Sequence, residues 1–96
     1  MSKMNYEFVL VIDYSIGEEA IAAVVEKYKT MIGENGEVVS VDEWGNRRLA
    51  YAINFKTDGY YVVFTFATEK PDFSAELERV SKISENILRW LVVRKA

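Results

Sequence analysis

The side chains that most often carry out catalysis are missing from this chain of 96 residues, which contains no histidine and no cysteine. Histidine is the usual general base near neutral pH, cysteine is the thiolate nucleophile, and both are common metal ligands. The carboxylate pairs Glu18-Glu19 and Asp42-Glu43 are adjacent in sequence, so their side chains point in different directions in a helix or a strand. The five glycines stand singly, which excludes a phosphate-binding glycine loop. The sequence therefore predicts no catalytic centre, no metal site and no cofactor.

Two neighbouring arginines, Arg47 and Arg48, are the most informative chemical feature of the sequence. They follow Gly45-Asn46 and begin a β-favouring stretch that ends at Ile53. Adjacent residues of a strand point to opposite faces, so at most one of the two arginines can face the core. A guanidinium presents a rigid fork of donors that suits a phosphate or a carboxylate. An RNA contact and an internal ion pair are therefore equally consistent with either arginine.

Charge is unevenly distributed along the chain, whose formal net charge is −3. Residues 1–43 contain nine acidic side chains against three lysines, a balance of −6, whereas residues 44–96 contain nine basic against six acidic side chains, a balance of +3. All five arginines lie in the second part. This asymmetry is consistent with a local cationic patch for an anionic partner, and also with ordinary solvated faces.

The first third of the chain predicts a strand followed by a helix. Residues 6–12 favour β-structure and carry large apolar side chains at every even position. Ser15 and Glu18 fit a capping box, in which each side chain binds an unpaired amide at the helix start. The helix is expected to run to about Thr30 or Ile32, with Gly33 and Gly36 as the stop signals.

The middle of the chain, residues 37–53, favours β-structure again and is interrupted at Gly45-Asn46. These two residues could turn a hairpin, or they could form a bulge that bends one long strand, and we favour the bulge. Apolar side chains share odd positions around the interruption, at Val39, Val41, Leu49, Tyr51 and Ile53.

A turn predicted at residues 57–59 precedes a strand at residues 60–67. Pro71 is expected to open a second helix, and a short strand at residues 90–93 follows it. The apolar stripe of that helix consists of Phe73, Leu77, Val80, Ile83 and Ile87.

The order strand, helix, strand, strand, helix, strand predicts a single α+β domain over residues 1–96, with the ferredoxin-like split βαβ arrangement. Two helices would then cover one face of a four-stranded antiparallel sheet and leave the other to solvent or to a partner. No apolar run approaches the roughly 18 residues of a membrane helix, so no membrane contact is expected. The predicted protein-partner surface on the uncovered face consists of Val9, Val11, Tyr61 and Val63.

The arginine pair belongs to a longer motif, RRLAYAI at residues 47–53, which resembles the central motif of bacterial small-subunit ribosomal protein six. The likeness extends to residues 6–7, 58–60 and 88–94 and so covers nearly the whole chain. The resemblance implies a ferredoxin-like, non-catalytic protein of the cytoplasmic ribosome. It also implies pairing with small-subunit ribosomal protein eighteen and binding to the central domain of small-subunit ribosomal RNA, with no small-molecule substrate.

An acidic net charge is compatible with RNA binding in company with a basic partner protein, because each phosphate contact contributes locally through counterion release. The RNA-binding candidates are Lys3, Arg47, Arg48, Arg79, Lys82, Arg89 and Arg94. The alternative function is a stand-alone ferredoxin-like module that senses a ligand or self-associates through its apolar sheet face.

Overall fold

The chain folds into a four-stranded antiparallel sheet and two helices, which confirms the predicted split βαβ arrangement. The computed structural model describes residues 3–53 and 56–95, and the side chains of residues 3–49 and 58–95. The strands are β1 (Met4–Asp13), β2 (Glu37–Ile53), β3 (Lys56–Thr68) and β4 (Ile87–Lys95), and the helices are α1 (Glu18–Asn35) and α2 (Phe73–Ile83). The strand order in the sheet is β2-β3-β1-β4, so β1 and β3 are central and β2 and β4 are the edges.

Aromatic rings from three elements form the centre of the core. Phe8 of β1 and Phe64 of β3 are fully buried, with ring centroids 5.8 Å apart. Tyr28 of α1 covers both rings, at 5.5 Å from Phe8 and 6.2 Å from Phe64. Leu77 of α2 completes this layer. Because large aromatic side chains bury the most apolar surface, this cluster fixes both helices on one face of the sheet.

A buried hydroxyl pair joins the two helices. Tyr28 Oη and Ser81 Oγ lie 2.8 Å apart, and Ser81 Oγ donates to the Leu77 carbonyl at 2.9 Å. Since the Ser81 proton is used in that second bond, Tyr28 is the donor to Ser81. Burial raises the pKa of Tyr28 above its ordinary value. The pair satisfies two polar groups that would otherwise destabilise the core.

The start of α1 differs from the prediction. A short 3-10 turn, Tyr14–Ile16, separates β1 from α1, and Gly17 precedes the first helical residue without a side-chain cap. Ser15 instead donates to the Asp13 carboxylate, through Oγ at 2.7 Å and through its backbone N–H at 3.0 Å. The predicted capping box of Ser15 and Glu18 is therefore wrong, because the inserted turn places Ser15 ahead of the helix.

The end of α1 also differs, because the helix continues through Gly33 to Asn35. A Cβ at Gly36 would overlap the carbonyl oxygen of Ala67, and Thr68 Oγ1 donates to the Asn35 carbonyl at 2.7 Å. The helix thus ends where the chain must pass closely beside β3. The predicted stop at Gly33 is wrong, and the stop at Gly36 is confirmed.

β2 is one long strand with a bulge, as we favoured. Glu43 pairs with Val62 and Gly45 pairs with Tyr61, so Trp44 is an additional residue in β2. Gly45 has a φ of 83°, a conformation that side chains with a Cβ rarely adopt. The bulge interpretation of residues 45 and 46 is confirmed.

The apolar side chains at odd positions of β2 do not all share one face, because a second register shift lies beside Val39. Val39 is exposed, Val41 packs against the core, and Leu49 is buried beside Gly59. The side chains of Tyr51 and Ile53 lie outside the described residues. Each bulge adds one residue to β2 and so reverses the alternation beyond it.

The turn predicted at residues 57–59 is wrong, because these residues are part of β3. Gly59 pairs with Arg47 on β2, and a Cβ at Gly59 would overlap Val11 Cγ1 and lie 3.3 Å from Leu49 Cδ2. Close packing therefore requires this glycine.

The second helix is shorter than predicted and the last strand is longer. α2 ends at Ile83, which is 68% exposed, and Ile87 begins β4. β4 continues to Lys95, well beyond the predicted residues 90–93. Pairing with β1 along its length stabilises the additional strand residues, and this non-local effect overrides the local helical pattern.

Replacing Gly59 by alanine should lower the free energy of unfolding by about 1–3 kcal/mol, because the new Cβ overpacks against Val11. In a Val11→Ala background, which lacks Cγ1, the same replacement should cost clearly less. Urea denaturation followed by circular dichroism measures both. Gly33→Ala is the control, since that position is open, and it should be neutral or slightly stabilising. An equal cost in both backgrounds would contradict the packing explanation.

Candidate functional site

Both helices pack on one face of the sheet, and we call the opposite face the open face. In the strand register, Val9 of β1 lies between Val63 of β3 and Leu91 of β4, and Val11 lies between Tyr61 and Arg89. Paired residues share a face, so the open face can be read from the register. Its described side chains on these three strands include Asn5, Glu7, Val9, Val11, Tyr61, Val63, Thr65, Ala67, Arg89, Leu91, Val93 and Lys95.

The four residues of the predicted partner surface lie on the open face, but they differ in exposure. Val11 and Val63 are only 1% and 8% exposed, in part because Leu49 and Gly59 pack closely beside Val11. Val9 and Tyr61 are half-buried. Two of the four residues therefore offer little surface to a partner, which corrects the expectation that all four are presented.

Most of the exposed apolar surface of this face on β4 comes from two residues that the sequence analysis did not select. Leu91 is 57% exposed and Val93 is 42% exposed. Beside Leu91, a cavity of about 390 Å³ is lined by Val9, Val11, Tyr61, Arg89, Trp90 and Leu91. An apolar pocket with a guanidinium at its rim suits an apolar side chain from a protein partner, because interfaces join an apolar centre to a polar rim.

Trp44 is a further surface residue that the sequence analysis missed. The indole stacks beside the Tyr61 ring, with centroids 6.1 Å apart and an interplanar angle of 9°, and is 49% exposed. Its Nε1–H donates to Asp42 Oδ2 at 2.9 Å, which holds the ring in place. The tryptophan beside the bulge glycine Gly45 was a usable signal, since bulges often orient a functional side chain.

Two of the predicted RNA-binding residues lie on α2. Arg79 forms a bidentate pair with Glu76, in which Arg79 Nε lies 3.1 Å from Glu76 Oε2. The hydrogen bond from Arg79 lowers the pKa of Glu76, and the same bond raises the pKa of Arg79. Lys82 is exposed in the last turn of α2, where its positive charge interacts favourably with the negative end of the helix dipole. Both cations are accessible on the helical side of the molecule.

The other predicted RNA-binding residues are distributed over both faces and both ends of the sheet. Arg89 lies on the open face, whereas Arg94 pairs opposite Tyr6 and is directed to the helical side. At the same end of the sheet, Lys3 Nζ bonds Glu37 Oε2 at 3.0 Å. These cations thus form separate positions rather than one patch.

Arg47 and Arg48 are both exposed, and they point to opposite faces as predicted. Arg47 pairs with Gly59 and shares the open face, and Arg48 pairs with Asp58. The structure therefore brings Arg47 and Arg89 to the open face and places Arg79, Lys82 and Arg94 on the other side.

A second concavity, of about 290 Å³, lies beside the start of α1 and includes Tyr14, Glu18, Glu43 and Tyr60. Tyr60 Oη donates to Glu43 Oε1 at 3.0 Å. Burial, reinforced by the Glu43 carboxylate, raises the pKa of Tyr60 above its ordinary value. In the part of the chain that the structure describes, no group of three acidic, histidine or cysteine side chains could hold a metal ion. The described helices include none that is long and apolar enough to cross a membrane.

These features define an α+β protein of the ferredoxin-like class that offers an apolar sheet face and separate cationic positions for binding. The chain belongs to the ribosomal protein S6 family, because the family model described as Ribosomal protein S6 matches residues 5–94. This family is the one that the sequence motifs indicated.

Individual relatives agree with this assignment. The small ribosomal subunit protein bS6 of Desulforamulus reducens is 45% identical over 92 residues, which cover 95% of this chain and 96% of that protein. The protein of the same name from Clostridium novyi is 44% identical over 90 residues, covering 93% and 94% of the two chains. The crystal structure of 30S ribosomal protein S6 from Thermotoga maritima matches with a TM-score of 0.91 at 29% identity, over 98% of this chain and 89% of that one. The chain is therefore a structural ribosomal protein and not an enzyme.

The raised pKa of Tyr60 predicts a stability that falls in alkali. Because the folded state holds the phenolic proton more tightly than the unfolded state, the contribution is complete below a pH of about 10 and is lost as the pH rises through the folded pKa. Urea denaturation at several alkaline pH values should therefore show a smaller loss for Tyr60→Phe than for the wild type. Glu43→Gln should shift the phenolate absorbance titration of Tyr60 to lower pH. Identical titrations of Glu43→Gln and wild type would contradict the role of Glu43.

Proposed function

We propose that the chain binds small-subunit ribosomal RNA jointly with small-subunit ribosomal protein eighteen, as a single domain of residues 1–96 in the cytoplasmic ribosome. One observation carries the proposal. On the open face of this ribosomal protein S6 family member, Leu91 and Val93 expose apolar surface beside a cavity. Exposed apolar side chains that are continuous with a pocket are typical of a protein interface. No small-molecule substrate and no cofactor are part of this function.

The RNA contacts are proposed to come from the cationic positions outside the apolar centre of the open face. Arg79 is already paired with Glu76, but this pair is exposed, so the guanidinium can exchange the carboxylate for a phosphate at little cost. Contacts to phosphates fix orientation and contribute through counterion release, and they do not require a basic protein overall. The proposed RNA-binding residues are Lys3, Arg47, Arg48, Arg79, Lys82, Arg89 and Arg94.

The stand-alone module is the second candidate, because the same apolar face could bind a second copy of this chain. The two functions differ in what covers Leu91 and Val93. In the ribosomal proposal the occupant is a different polypeptide, and in the alternative it is an identical chain related by two-fold symmetry.

Replacing Arg79 and Lys82 together by glutamine should reduce the salt dependence of RNA binding. Each lost phosphate contact lowers the slope of log K against log salt by on the order of 0.7–0.9. The slope is measured by filter binding of the central-domain RNA, with the partner protein present, over a series of salt concentrations. Lys27→Gln with Lys29→Gln is the matched control on α1, since it removes the same charge. If the Arg79 and Lys82 variant keeps the wild-type slope, these two residues are not in the RNA site.

Size-exclusion chromatography at low protein concentration should show a monomer that shifts only when the partner protein is added. Leu91→Glu should abolish the shift without unfolding the chain, because a charge at an exposed strand position is tolerated in the free protein but not in an apolar interface. Ile83→Glu is the control, since Ile83 is exposed on α2. A stable homodimer that Leu91→Glu dissociates would favour the self-associating module.

A further inference from the structure

We propose that Asp42 and Trp44 form a docking site for an arginine side chain of the protein partner. We call these two residues the Asp42–Trp44 site. The inference rests on the proposed function, because it assigns a contact within the joint complex with a basic protein. It also extends the interface from β4 across the sheet to the opposite edge strand, β2.

The indole of Trp44 is a fixed and accessible aromatic surface. The parallel Tyr61 ring supports it, and the bond from Nε1–H to Asp42 fixes its orientation. The bulge at Gly45 maintains this arrangement, because Trp44 is the additional residue opposite Tyr61. A side chain that is held before binding loses little conformational entropy when the partner docks. Exposed tryptophan of this kind is among the residues that contribute most to protein interfaces.

The charge beside the indole selects a cationic ligand. The Asp42 carboxylate accepts the indole proton with Oδ2, and an ionised carboxylate has acceptor positions for about four hydrogen bonds in all. A guanidinium above the indole would meet the negative face of the ring and the remaining acceptor positions of Asp42 at once. Arginine suits this site better than lysine, because its planar group stacks on an aromatic ring and donates from its edge.

The same charges favour a protein over RNA at this position. The Asp42 carboxylate lies beside the indole, so it would repel a phosphate at Trp44. The first 43 residues carry a balance of −6, which complements a basic polypeptide. The open face continues from Trp44 over Tyr61 to the apolar residues of β1 and β4. One bound polypeptide could therefore cover the cavity beside Leu91 and place an arginine on Trp44.

The test is isothermal titration of the full-length chain with purified small-subunit ribosomal protein eighteen. Trp44→Leu should weaken binding by about threefold to thirtyfold, the range expected for loss of a cation–π contact, and Asp42→Asn should weaken it by about tenfold or more through loss of a charge-assisted hydrogen bond. The effects should be less than additive in the double variant, because both residues hold the same arginine. Trp44→Phe should lose less than Trp44→Leu. Thermal melting by circular dichroism confirms that each variant is folded.

Two controls separate this contact from general effects. Glu19→Gln removes the same charge from the exposed surface of α1, and Ile83→Ala removes exposed apolar surface from α2. Losses for the Asp42 and Trp44 variants no greater than for these controls would overturn the inference and leave the proposed function standing. Trp44→Leu weakening the binding of RNA alone would overturn it in favour of a stacked base. Failure of the wild-type chain to bind the partner protein would overturn the proposed function itself, together with the inference.

Discussion

The antiparallel pairing of β1 with both β3 and β4 is the constraint on which the rest of the structure depends. Because paired residues share a face, Phe8 and Phe64 lie together under the helices, and Val9 lies with Val63 and Leu91 on the opposite side. The contacts of Tyr28 with Phe8 and Phe64 hold α1 on the side of the sheet opposite the open face. Apolar residues on the open face therefore have no helix above them, and their stabilisation comes from neighbours within the sheet or from a binding partner.

The bulge at Gly45 links this constraint to function. One additional residue in β2 reverses the alternation, so that Arg47, rather than Arg48, follows Trp44 on the open face. Arg47 and Arg89 therefore share the open face, whereas Arg79, Lys82 and Arg94 lie on the helical side. In the proposed function, Arg79, Lys82 and Arg94 offer RNA contacts on the side opposite the apolar open face, and the acidic net charge does not prevent them.

The order of elements could be predicted from sequence because periodicity and turn residues are local signals. The bulge at Gly45 could be predicted for the same reason, since the glycine itself indicates it. Other features depend on contacts across the chain. In the sequence, Gly59 follows an aspartate and so resembles a turn residue. The packing against Val11 that requires this glycine exists only once β1 and β3 pair. For the candidate site, the alternation of residues along β1 correctly placed Val9 on the open face. The exposure of Trp44 could not be predicted in this way, because it depends on neighbours on adjacent strands. The family motif supplied the function, which no single residue could have indicated.

The central claim is that a protein partner covers the open face while the helical side keeps its exposure. Hydroxyl-radical footprinting of the full-length chain, alone and with the partner protein, measures this directly because it reports the accessibility of individual side chains. We expect protection of Trp44, Leu91 and Val93, and unchanged oxidation of Tyr14 and Ile83, which are comparably exposed on the helical side. Protection of Tyr14 and Ile83 with continued oxidation of the three open-face residues would contradict the account.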